Sequence, residues 1–87
     1  MTDTSLHPMP LVRVTNGTCA HIAQLDVDLE LRQRLIALGL QVGKTIQVIR
    51  RGAFGGPLHV RVGTTEVILR RKEASHIRVT PTTAFAA

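Results

Sequence analysis

The sequence predicts a mainly β protein, a small barrel of about five antiparallel strands with one inserted α-helix at about residues 29–38. Three observations predict it. Apolar and polar residues alternate through much of the second half, as in Leu58, Val60 and Val62 against His59 and Arg61, the two-residue period of strands with one buried face. Only one stretch, residues 29–38, runs between a helix start signal, Asp28, and a helix stop signal, Gly39. The whole chain is 87 residues long, enough for a single core, and so small a sheet is expected to hide its edges by closing on itself.

The elements follow in order. Residues 1–10 are polar, with Pro8 and Pro10, and read as a flexible arm. A short strand is expected at 11–14, ending at the Asn16-Gly17 turn signal. Residues 19–25 form a strand with Ala20 and Ile22 on one face and Cys19 and His21 on the other. Asp28 is the expected N-cap of the helix, with Glu30 favoured in its first turn. At 100° per residue Leu31, Leu35 and Leu38 lie within about 60° of one another and form the core stripe. Leu29 and Ile36 fall on nearly the opposite side. Gly39 is expected to cap the helix and Gly43 to turn the chain into the next strand.

Beyond Gly43 the pattern is strand and turn. Strands are expected at 44–50, with Ile46 and Val48 inward, at 58–62, and at 65–70, with Val67 and Leu69 inward. Gly63-Thr64 is short enough for a tight hairpin between the last two. One helical turn fits 72–75, and a last strand at 76–80 carries Ile77 and Val79 inward. Residues 11–80 therefore form the barrel domain, and 81–87 a flexible tail.

Composition narrows the function. No apolar run approaches the ~20 residues that span a bilayer, and residues 1–10 lack the basic start and apolar stretch of a secretory signal. One cysteine, Cys19, excludes an intrachain disulfide framework, which suits the cytoplasm. The net charge of +5 is uneven: residues 1–43 carry a net −1 and residues 44–87 a net +6. Such a surface favours an acidic partner, an anionic membrane face or nucleic acid. A thin core leaves little room for an enclosed catalytic cavity.

Several motifs have both a functional and a structural reading. Gly39, Gly43, Lys44 and Thr45 look like part of a phosphate-binding loop, but three residues separate the glycines instead of four, and the segment follows a helix instead of opening one. Cys19 and His21 share one side of a strand and are the weak candidate ligands for a transition metal. Neither has a third ligand at a recognised spacing, so no metal site and no resident cofactor are expected, and the pair as nucleophile and base lacks an orienting group. Arg50, Arg51, Arg61, Arg70, Arg71 and Lys72 form a candidate phosphate-contacting surface. Barrels that hold single strands also stack bases on aromatics, and this chain has only Phe54 and Phe85. Leu29 and Ile36 either pack under flanking loops or form an exposed apolar strip for a partner protein.

The residues Arg34-Leu35-Ile36-Ala37-Leu38-Gly39-Leu40-Gln41-Val42-Gly43, then Ile46 and Val48, then Gly55-Gly56-Pro57-Leu58, then Val67-Ile68-Leu69-Arg70 and residues 74–79, resemble the FeoA family over about residues 11–80. The resemblance implies an SH3-like barrel in a small cytoplasmic, non-enzymatic protein of bacterial ferrous iron uptake. It implies a partner, the membrane ferrous iron permease with its cytoplasmic GTP-binding domain, and Fe(II) only as the transported ion. It carries over no catalytic or metal-ligand motif and leaves the oligomeric state open. A related barrel ends iron-dependent repressors, so the alternatives are a detached regulatory barrel or a small basic barrel that binds nucleic acid.

Overall fold

The computed structural model describes residues 8–82. Its strands are β1 (Met9–Pro10), β2 (Cys19–Leu25), β3 (Thr45–Arg51), β4 (Leu58–Val62), β5 (Thr65–Leu69) and β6 (Ile77–Pro81), with helices α1 (Leu29–Ala37) and α2 (Arg71–Ala74). All six strands join one antiparallel sheet in the order β1-β6-β2-β3-β4-β5. The inward residues of β2 to β6 enter a single buried cluster together with Leu11, Val14, Leu35, Leu40 and Ala74. A sheet whose one face feeds one compact core must curl around it, which is the barrel architecture expected.

Two bulges produce that curl. Ala20 and Ile22 are buried at a spacing of two, but the next buried residue of β2 is Leu25. The register slips between Ile22 and Gln24, and the slip restores Leu25 to the core side. In β3 a second slip between Val48 and Arg50 places Arg51 opposite the buried Leu58.

The N-terminal end differs from the expectation. Residues 11–14 are not a strand: Leu11–Arg13 forms a 3-10 turn, and the pairing strand is Met9–Pro10. The buried side chains are Leu11 and Val14, three apart, a spacing that a turn of helix puts on one side and a strand does not. Met9 and Pro10, counted with the flexible arm, thus pair with Val79 and Arg78, and proline suits such an edge because it has no N–H to donate. Pro81, counted with the tail, pairs with Ala20. Residues 1–7 of the arm and 83–87 of the tail lie outside the described residues.

The hydrogen-bonded ladder does not close, since among the described residues β1 and β5 have no strand on their outer sides. The 3-10 turn after β1 is tied to the rest of the barrel instead. Beyond the bulge of β3, Arg51 donates from Nη1 to the Val12 carbonyl (2.8 Å) and from Nη2 to the Val14 carbonyl (3.1 Å), and α2, which follows the edge strand β5, packs on the same turn. Arg51→Ala is expected to lower stability by about 2 kcal/mol, the scale of hydrogen bonds to a charged donor. Arg51→Lys should recover only part of it, because one ammonium does not span both carbonyls as the guanidinium fork does. Urea midpoints of the two variants check this.

The helix also departs from the expected stripe. Leu35 is buried and Leu31 half-buried against the core, but Leu38 is 42% exposed. Gly39, at φ 99°, reverses the chain after Ala37. Its N–H donates to the Ile36 carbonyl and the Leu40 N–H to the Leu35 carbonyl, each at 2.9 Å. This pair of bonds is the Schellman motif, and the two positions that form its apolar pair, Leu35 and Leu40, both lie in the buried core. Leu40, fully buried, therefore occupies the core position expected of Leu38.

Candidate protein docking surface

α1 is fixed at both ends and along its side. Asp28 Oδ1 accepts from the Leu31 N–H at 2.9 Å, one of the orphan donors of the first turn. Arg32 Nη2 donates to the Leu25 carbonyl at 3.2 Å, and Arg34 pairs with Glu73 of α2 at 3.3 Å. Glu73 also accepts from the Arg70 N–H at 3.1 Å, so it holds the start of α2 as well. On this anchored helix Leu29 is 68% and Ile36 39% exposed. No loop among the described residues wraps them, and the two side chains form an outward apolar strip. Leu38 and Val42, also exposed, extend apolar surface around the C-terminal end of the helix. Their exposure was hidden from the helical arithmetic because both lie beyond the last helical residue.

Beside the N-terminus of α1 lies an open cleft of about 380 Å³ lined by Asp26, Val27, Asp28, Leu31, Lys72, Glu73 and His76. Its charges are mixed, and two of its acids, Asp28 and Glu73, serve the helices that form it.

Cys19 is a half-buried free thiol and His21 is exposed, both outside the core face of β2. His21 Nδ1 lies 3.3 Å from Thr45 Oγ1 on the neighbouring strand, and Cys19 stands opposite Gln47. Among the described residues, no three His, Cys, Asp or Glu side chains gather to hold a metal.

The segment that looked like a phosphate loop has already committed its backbone. The N–H groups of Gly39, Leu40, Gln41, Gly43 and Lys44 donate to the carbonyls of Ile36, Leu35, Gly39, Ile22 and Gln41. Few donors are left for an anion. Gly43, at φ 96°, makes the turn into β3.

The six candidate cations do not form one free surface. Arg51 is used by the fold, as described above. Arg61 Nη2 bonds Glu66 Oε2 at 2.8 Å, and His59 Nε2 lies 2.8 Å from Glu66 Oε1. The bond from Arg61, with that to His59, holds the exposed Glu66 carboxyl below its ordinary value. Among the described residues, the side chains of Arg50, Arg70, Arg71 and Lys72 enter no ion pair.

One exposed residue was not singled out from sequence. Phe54 sits in a 3-10 turn, Ala53–Gly55, between β3 and β4, at φ 55° and with its ring fully exposed. It is the one non-glycine with positive φ among the described residues. Glycines at 52, 55 and 56 around a lone aromatic were the available signal.

The FeoA domain model matches residues 9–81. The structure is similar to a crystal structure of an iron uptake regulatory protein (FeoA), at 27% identity and TM-score 0.77, covering 88% of this chain and 100% of that one. It is also similar to the FeoA protein of Chlorobium tepidum, at 28% identity and TM-score 0.82, covering 90% of this chain and 74% of that one. A manganese-dependent transcriptional repressor shares the fold at 20% identity and TM-score 0.80, over 91% of this chain but 44% of its own.

Proposed function

The chain belongs to the FeoA family, and on that footing we propose that it is a non-enzymatic cytoplasmic module that binds the cytoplasmic part of a membrane ferrous iron permease and supports Fe(II) import. The observation that carries the reading is the exposed pair Leu29 and Ile36 on a helix whose own position is held by Asp28, Arg32 and Arg34. Large apolar side chains kept in water on a rigid element suit a partner's apolar groove, and a preordered helix loses little freedom on docking. No helix among the described residues is long and apolar enough to cross a membrane, so the proposed role is that of an accessory part and not of the conduit. Iron is the cargo of the proposed partner; no resident metal is assigned to this chain.

The nucleic-acid reading has less support. Two of its six cations, Arg51 and Arg61, already have partners, and one exposed aromatic among the described residues is a poor stacking track for bases. The likeness to a repressor domain concerns the fold alone.

The test is a pull-down with the cytoplasmic domain of the permease. Leu29→Ser together with Ile36→Ser is expected to leave far-UV circular dichroism unchanged, since both sites are exposed. Binding should fall at least about tenfold, from the loss of two apolar contacts, and iron-limited growth should fall with it. A folded double variant that binds and grows normally would place the contact elsewhere.

A further inference from the structure

The loop at 52–57 projects Phe54 into water at one end of the barrel, and its surroundings are basic. Arg50 and Ile68, the latter 68% exposed, line a shallow groove of about 300 Å³ with Gly52, Pro57 and His59. The side chain of Arg71 lies against Gly55, its Cδ 3.5 Å from where a Cβ would stand. Arg70 follows Leu69, which pairs with Leu58 beside Pro57. No acidic residue occurs from Lys44 to Thr65. The nearest carboxylates in sequence, Glu66 and Glu73, are paired with Arg61 and His59 and with Arg34.

We propose that this end of the barrel docks on an anionic phospholipid surface, with the Phe54 ring entering the headgroup region and Arg50, Arg70 and Arg71 facing lipid phosphates. This goes beyond permease binding and does not rest on it. A protruding ring with guanidinium groups behind it matches a soft surface that is anionic outside and apolar beneath. A rigid protein partner would need a pocket shaped to the ring. A nucleic acid would need further stacking platforms, and Phe54 is the sole aromatic side chain among the described residues. The left-handed backbone at Phe54 is costly for a residue with a Cβ. No core contact accounts for it, because the ring is fully exposed.

The chain has no tryptophan, so Phe54→Trp supplies a single fluorescent reporter at the tip. With phosphatidylcholine vesicles containing about a third phosphatidylglycerol, a density of anionic lipid that attracts basic residues, its emission should shift to the blue. The shift should be absent with phosphatidylcholine alone and should reverse as salt rises. In vesicle co-sedimentation, Arg50→Gln with Arg71→Gln should weaken binding about 25-fold, roughly fivefold for each cation. Phe54→Asn, whose side chain tolerates the left-handed backbone, should weaken it severalfold at unchanged circular dichroism. An unmoved emission, equal binding to neutral vesicles, or wild-type sedimentation of the folded variants would overturn the proposal. So would loss of permease or oligonucleotide binding in these variants when the wild type shows no affinity for vesicles, which would make the patch a macromolecular contact.

Discussion

Leu35→Ser is expected to unfold the protein. Leu35 is the one fully buried side chain of α1, and its carbonyl accepts the closing bond from Leu40. Truncating a buried leucine costs about 2–5 kcal/mol, and a serine hydroxyl left without a partner in the core adds about 1–3 kcal/mol. The combined loss of about 3–8 kcal/mol is of the same size as the total of about 4–13 kcal/mol that holds a domain of this length together. Far-UV circular dichroism and a urea titration read the result. Leu38→Ser is the informative control: sequence arithmetic places both leucines on one stripe, but the structure leaves Leu38 in partial contact with water. The control should therefore shift stability by only about 0.5 kcal/mol. Equal losses in the two variants would mean that the helix ends later than Ala37.

Gly39→Val is expected to cost about 1–3 kcal/mol through backbone strain alone. The added carbon meets no obstacle, its nearest neighbour being Val62 Cγ1 at 3.9 Å. The penalty comes from φ 99°, which a β-branched residue rarely adopts. Gly39→Asn should lose less, since asparagine is the usual substitute at this position of a helix terminus. A lowered midpoint with an unchanged urea slope would mark a pure stability effect. An unaltered midpoint in the valine variant would mean that the Schellman geometry is absent in solution.

Most strands were legible because alternation reports burial directly. The spans 19–25 and 58–62 were read to the residue, and the single helix was bracketed by Asp28 and Gly39. Errors arose where local geometry breaks the period. At 11–14 the segment is short and holds the β-branched Val12 and Val14, so a strand and a turn of helix look alike in sequence. Leu38 and Leu40 exchanged roles because ideal helical angles say nothing about the reversal that follows the cap. The bulges at β2 and β3 are silent in sequence, and with them the commitment of Arg51 to two carbonyls. Of the candidate sites, angular opposition sets Leu29 and Ile36 on the side of α1 away from Leu35 but leaves open whether loops cover them, which only the fold decides. The basic surface did not survive as one patch, since pairing such as that of Arg61 with Glu66 depends on cross-strand register.

The pairing of β1 with β6 has an architectural consequence. Met9 lies opposite Val79, and the Thr82 N–H donates to the Cys19 carbonyl, so the chain enters and leaves the barrel side by side at one place. The domain is thus a plug-in unit. A neighbour attached at either end would emerge from the same doorway, at the end of the sheet opposite α1, which joins the far end of β2 to the start of β3. In a circular permutant residues 8 and 82 need only a short bridge, with new ends opened at the exposed Gly63-Thr64 hairpin.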